Sequence, residues 1–216
     1  MAKKNEAREE MTSEEKIIEA AKSVFIERGF DGATMQEIAD RASINKAALH
    51  YYFRSKDKLF EIIFGVVLKN MLLKLGGIID QEMNFEEKLE KLITEYIGFF
   101  STNYPIVSFV ISEIIKNPNL ILNVMDKTGF QEKIKKVIQM IEEEIKAGRI
   151  KNIKPQHLYM NIISMCAFPF LAQPVLCGAL KLEKNQFSQL MKERPKVVSN
   201  FILDSIRVKG DGLRAK

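Results

Sequence analysis

Four helix-start signals crowd into the first quarter of this 216-residue chain and decide what it can become. Thr12 is followed three residues later by Glu15, and Thr34 by Glu37, both at capping-box spacing. Asn45 and Ser55 stand just ahead of further apolar runs, where a side-chain oxygen can accept from the orphan N–H groups of a first turn. Starts this close together leave room only for short helices before Ser55. They predict a helix over about 13–28, with Ile17, Ile18, Ala21, Val24 and Phe25 at helical spacing and Gly29 as its stop. Short helices over about 35–41 and 46–52 follow, and then a long apolar one, KLFEIIFGVVLKNMLLKL.

The rest of the chain reads as helix throughout. Phe85–Ser101 is amphipathic, and Tyr104–Lys116 carries Pro105 where a first turn tolerates it. Asn117-Pro118-Asn119 marks a turn, and residues 119–147 form one long helix or two, stopped by Gly148. Pro155–Ala172 and Phe187–Val208 complete the set, with Pro195 kinking or restarting the last. Only 11 Gly and 6 Pro in the whole chain favour this reading over many short strands. The expectation is an all-α protein. Residues 1–57 would form an N-terminal three-helix domain with a disordered start at 1–11. Residues 58–208 would form a larger helical domain, and 209–216 a disordered tail.

Several functions lack their chemistry here. His50 and His157 are the only histidines, neither at metal-ligand or triad spacing, and no glycine loop cradles phosphate, so no enzyme, metal or cofactor is expected. Cys166 and Cys177 lie in apolar surroundings as reduced packing thiols, and the charged N-terminus is no secretory signal, which together imply a cytoplasmic protein. Pro155 to Leu180 holds no Asp, Glu, Lys or Arg and is long enough to span a bilayer. Its Gln156, His157, Asn161 and Gln173, with Pro169 and Pro174, favour instead a buried helix lining a cavity or packing on a second subunit, with no membrane.

Charge is distributed unevenly. Residues 1–60 hold 11 Lys/Arg and 11 Asp/Glu, yet between 41 and 58 Arg41, Lys46, Arg54, Lys56 and Lys58 face Asp57 alone. Such a patch fits a polyanion, although charge by itself favours an ordinary solvated face. The third helix adds shape. On a helical wheel Lys46, Ala47, His50, Tyr51 and Arg54 fall on one side, while Leu49, Phe53, Tyr52, Asn45 and Ala48 fall on the other. Leu49 and Phe53 would anchor the helix. Lys46 could reach a base edge or phosphate, and the small Ala47 lets the helix start approach a groove floor. His50 and Tyr51 could donate to phosphate oxygens, and Thr34 and Lys56 would present helix N-termini to phosphates from either side. Two helices joined by RASIN form a helix-turn-helix whose second helix suits the major groove of double-stranded DNA.

The stretch IIEAAKSVFIERGFDGATMQEIADRASINKAALHYYFRSKDKLF, Ile17–Phe60, resembles the DNA-binding domain of the TetR family of bacterial transcriptional regulators. The resemblance implies DNA contacts at Thr34, Ile44, Asn45, Lys46, Ala47, His50, Tyr51, Tyr52 and Lys56. Ala47 stands where Gly is frequent, Ile44 where small or polar residues are common, His50 where Tyr is usual and Tyr52 where His is common; these departures bear on which operator is read. The resemblance also implies a homodimer on a palindromic operator, a repressor released by a small ligand, and a C-terminal domain that dimerises through its last two long helices. A ligand-independent or activating regulator, and a helical carrier without DNA binding, remain as alternatives.

The C-terminal half is rich in Phe and Met, which at any single position is ordinary core. As lining for an adaptable apolar cavity we single out Phe64, Met71, Tyr96, Phe99, Phe100, Phe109, Met160, Ile163 and Phe168. Few charges fall within these stripes, which favours a lipophilic or neutral ligand over a strongly ionic one. Val197, Val198, Phe201, Ile202 and Ser205 are the candidate dimer face on the last helix.

Overall fold

The computed structural model describes residues 12–116 and 118–208; the stretches 1–11 and 209–216, expected to be disordered, lie outside the described residues. The helices are α1 (Ser13–Gly32), α2 (Met35–Arg41), α3 (Lys46–Tyr52), α4 (Lys56–Ile79), α5 (Phe85–Thr102), α6 (Tyr104–Lys116), α7 (Pro118–Thr128), α8 (Phe130–Lys146), α9 (Pro155–Leu171), α10 (Gln173–Leu180) and α11 (Lys184–Ile206). All four early start signals act as caps. Thr12 and Glu15 form the reciprocal box, with Glu15 N–H donating to Thr12 Oγ1 at 3.2 Å and Thr12 N–H to Glu15 Oε2 at 2.8 Å. Asn45 Oδ1 accepts from Ala48 N–H at 2.7 Å, and Ser55 Oγ from Lys58 N–H at 3.1 Å. The second box is only half made. Thr34 Oγ1 accepts from Glu37 N–H at 3.1 Å, but the Glu37 carboxylate turns to Arg28, 3.3 Å away.

Gly29 breaks the helical geometry (φ 71°, ψ 175°) where the sequence sets its stop, and a further helical turn to Gly32 follows across this kink within α1. Residues 119–147 resolve into two helices because Gly129 also turns left-handed (φ +72°). Pro195 neither stops nor restarts α11, which begins at Lys184 on a capping box between Glu183 and Gln186. The uncharged stretch from Pro155 to Leu180 breaks between α9 and α10 with a bend of 74°. α4 is itself long and apolar enough to cross a membrane, but ten of its residues are buried within the fold.

α5 lies at the centre of the larger helical body, with α4, α9 and α11 packed around it. α1 rests on α2, α4 and α6, and it joins the first three helices to the rest through aromatic rings. Phe25 of α1 stacks parallel on Phe109 of α6, with centroids 5.6 Å apart, and on Phe30 at 5.8 Å. Phe60 of α4 meets Phe25, Phe30 and Phe109 edge-on at 6.1, 5.4 and 5.5 Å. These geometries are the favoured ones for ring quadrupoles, and each ring also removes a large apolar area from water.

At the far end, Pro169 inside α9 cannot donate to the Met165 carbonyl one turn earlier. Arg194 of α11 supplies a donor in its place, Nη2 to Met165 O at 3.2 Å, so α9 and α11 are tied at that carbonyl.

Phe25 is fully buried at the centre of the ring cluster. Phe25→Ala is expected to cost about 3–5 kcal/mol in urea unfolding; a loss below about 1 kcal/mol would mean that the junction does not hold the two parts together.

Candidate functional site

α3 stands out from the body with the two sides of the wheel, except that Tyr52 and Asn45, set on the side of Leu49 and Phe53, are exposed because they lie at the helix ends. Leu49 and Phe53 are buried beneath it, while Lys46, Ala47, His50 and Tyr51 are exposed, Tyr51 by 85%. Tyr52 is exposed by 46% and lies edge-on to Tyr51 with centroids 5.6 Å apart, so the two phenols form one projecting pair at the end of the helix. His50 Nδ1 lies 3.4 Å from the Arg54 carbonyl, which orients the ring along the helix. Asn45 is exposed but its Oδ1 is committed to the cap, leaving its amide N–H groups as outward donors. Ser43 takes a left-handed conformation (φ 58°) at the turn, the sharp bend that sets α3 against α2.

Other candidates sit differently from their sequence reading. Ile44 is half-buried and packs on the core, so only part of it reaches the surface. Lys56 is turned inward. Its ammonium donates to the carbonyls of Ala33 at 3.0 Å and Asp31 at 3.3 Å and sits 4.6 Å above the Phe30 ring. It caps the end of α1 and pins the start of α4 to the α1–α2 turn; what it presents outward is its position in the first turn of α4, where N–H groups lack intrahelical partners. Thr34 is exposed and caps α2 beside it.

The basic patch is smaller than its charge count. Arg41 is bidentate to Glu27 at 2.6 and 2.9 Å, donates to Ser23 Oγ at 2.9 Å and lies 3.8 Å from Glu37. The hydrogen bonds from Arg41 hold the Glu27 carboxyl below its ordinary range, and Glu27 raises Arg41 in return. This pairing fixes α2 on α1. With Arg41 and Lys56 engaged, the outward cations are Lys46, Arg54 and Lys58, the last 3.4 Å from Glu61.

The ligand candidates divide into four groups. Phe64, Met71, Phe99 and Phe100 line one apolar cavity of about 200 Å³, together with Val67, Leu68, Val107, Val110, Met125 and Phe130. The α4 members recur at 64, 67, 68 and 71, a stripe that helical spacing alone could have singled out. Tyr96 and Ile163 belong to the α5–α9 packing instead. Tyr96 is buried beside Tyr159, and burial pushes its phenol well above the ordinary range. Ile163 is half-buried against the core. Phe109 sits in the junction stack. Met160 and Phe168 are on the outside of α9, exposed by 54% and 57%. Burial raises the Cys166 thiol to about 12, so it is a neutral packing group.

The dimer candidates split by helical phase. Val198 and Ile202 face the core, while Val197, Phe201 and Ser205 face outward. The row 197, 201, 205 is turned about 100° from the row 198, 202, and on this helix that rotation carries it out of the core. With Met160 and Phe168 of α9, Val175 and Leu180 of α10, and Leu190, Val197 and Phe201 of α11, the outer side of these helices carries more exposed large apolar side chains than any other part of the described residues.

Comparison with known proteins agrees with this geometry. Residues 17–63 match the profile of bacterial regulatory proteins of the tetR family. YttP of Bacillus subtilis strain 168, provisionally named an HTH-type transcriptional regulator, is 25% identical over 179 residues, 82% of this chain and 86% of that protein. The HTH-type transcriptional regulator RutR of Escherichia coli strain K12 is 29% identical over 201 residues, 88% of this chain and 89% of that one. Among solved structures, a Clostridium perfringens protein provisionally named a fatty acid metabolism regulator shares the fold with a TM-score of 0.71. It is 24% identical and covers 90% of this chain and 100% of its own. Residues 17–63 are thus a DNA-binding domain of the tetR type, and over most of its length the chain is similar to HTH-type transcriptional regulators.

The inward Lys56 is testable by stability. Lys56→Met keeps the aliphatic stem and removes the ammonium; a loss of about 1 kcal/mol in urea unfolding is expected. Unchanged stability would mean that the ammonium is free in solution.

Proposed function

We propose that the chain is a cytoplasmic repressor that binds a palindromic operator as a homodimer and leaves it when a small, mainly apolar ligand enters the larger domain. Residues 1–57 are the DNA-binding unit and 58–208 the ligand-binding and dimerisation unit. The observation that carries this reading is α3. It is held by Leu49 and Phe53 from beneath while Lys46, Ala47, His50 and Tyr51 stand free above.

In the major groove, Lys46 donates to a base edge and Ala47 allows close approach and contact with a thymine methyl. Asn45, His50, Tyr51 and Tyr52 donate to phosphates, and the starts of α2 and α4 at Thr34 and Lys56 receive phosphates on either side. Ile44 packs at the edge of this contact. The outward row of Val197, Phe201 and Ser205, with Phe168 and Met160 of α9, supports an isologous interface between two copies. Two recognition helices related by that axis would meet successive major grooves about 34–36 Å apart.

The cavity walled by Phe64, Met71, Phe99 and Phe100 supports the ligand reading. Its walls come from α4, α5, α6, α7 and α8, and α4 and α6 also carry Phe60 and Phe109 of the junction. A ligand that favours a different packing of α4 and α6 therefore acts on the seat of α1, and DNA is released by population shift.

Lys46→Ala tests the groove assignment by gel shift on selected operator DNA. Affinity should fall about tenfold or more and sequence preference relax. Unchanged affinity and preference would sink the assignment.

A further inference from the structure

The apolar cavity has a neighbour. A second space, of about 480 Å³, lies along α4 and the end of α5 and shares Val67, Met71 and Phe99 with it. These three side chains form a common wall. Met71 is the unbranched, adaptable one among them and the best suited to swing aside.

The two linings differ in kind. Every side chain lining the inner cavity is apolar. The outer space adds Lys22 from α1, Asn70 and Lys74 from α4, and Thr102 and Asn103 from the end of α5, and no acidic residue lines it. The Thr102 hydroxyl and the Asn103 amide donate to the carbonyls of Gly98 and Phe99, both at 2.9 Å. The Lys22 and Lys74 ammonium groups and the Asn70 amide are the donors that remain. Lys22 pairs with Glu19, and Lys74 lies 3.6 Å from Glu95; both are surface pairs, weak enough for an incoming anion to share or displace.

We propose that the two spaces form one effector site for an amphiphile with an unbranched alkyl chain and an anionic head, a carboxylate or a phosphate. The chain passes Met71 into the inner cavity, where a polar group would be left without a partner. The head rests among Lys22, Asn70 and Lys74, where a cationic head would be repelled. The inner cavity alone is smaller than a usual ligand pocket, whereas the two together are of ordinary size. The head bridges α1 and α4, the two helices whose relation seats the recognition helix. The ligand thus touches the DNA-binding unit directly. This deepens the ligand-release reading above and rests on it for its consequence, but not for the binding itself.

The test is calorimetric titration of the full chain, without DNA, with hexanoate, octanoate, decanoate, decyl phosphate, decanol and decyltrimethylammonium. The anions should bind, each added methylene tightening affinity about fourfold until the cavity is full. Decanol should bind at least about tenfold more weakly and the cation not at all. Decanoate tighter than decyl phosphate assigns a free carboxylic acid; the reverse assigns a phosphate-bearing head. Lys22→Ala, at a half-buried side chain, and Lys74→Ala, at an exposed one, both checked for native circular dichroism, should each weaken the anions about tenfold and leave decanol unchanged. No binding by any anion, decanol equal to decanoate, or folded lysine variants with parental affinity would overturn the site. A protein that binds decanoate as described but stays on its operator keeps the site and refutes release. One freed from its operator by other compounds and indifferent to these anions refutes the site alone.

Discussion

The stack of Phe25, Phe30, Phe60 and Phe109 is the contact on which the rest of the molecule depends. Phe60 touches all three of the others, and Phe64, one turn further along α4, continues the series at 6.1 Å into the wall of the apolar cavity. One end of this series supports the helices that carry α3, and the other borders the space where a ligand would lie. Close-packed rings transmit displacement because no slack is left to absorb it. Lys56 adds a polar staple at the same place, holding the carbonyls of Asp31 and Ala33 above the Phe30 ring. Lys116 of α6 reaches the same turn, 3.9 Å from Asp31 and 3.2 Å from the buried Glu113. The turn between α1 and α2 is therefore gripped by α4 and α6 together.

The opposite end of the molecule obeys a different constraint. α9 is apolar almost all round, and a helix of that kind must be covered on both sides. α5, α6, α8 and α11 cover the side where Leu158, Ile162 and Cys166 are buried. Met160 and Phe168 remain on the other, next to the exposed row of α11. α10 has no buried residue despite its apolar sequence. A second copy of the same surface would complete the cover that one chain cannot supply.

Much of the fold was legible because its signals are local. A cap needs a side chain three residues from the N–H it accepts, and Thr12, Thr34, Asn45 and Ser55 all meet that condition within one turn. The two sides of α3 follow from its angular spacing, since the alternative would bury Lys46 and His50. What was not legible depended on distant partners. Gly29 breaks the helix where the sequence sets its stop, but the extra turn beyond it, with Phe30 packed on Phe25 and Phe60, carries no local signal. Lys56 looks like an outward cation until the carbonyls of α1 arrive beneath it. Met160 and Tyr159 are adjacent in an apolar helix, and nothing in the sequence says which of them meets α5. Phe109, Met160 and Phe168 lie away from the apolar cavity for that reason, whereas Phe64 and Met71 of α4 and Phe99 and Phe100 of α5 line it.

The central claim is that α3 reads DNA in pairs. Selection of bound sequences from a random duplex pool by the full chain tests it most directly. The account predicts an inverted repeat whose half-site centres lie about one helical turn, 34–36 Å, apart. A selection that enriches no sequence, or only a single unrepeated half-site, would contradict it.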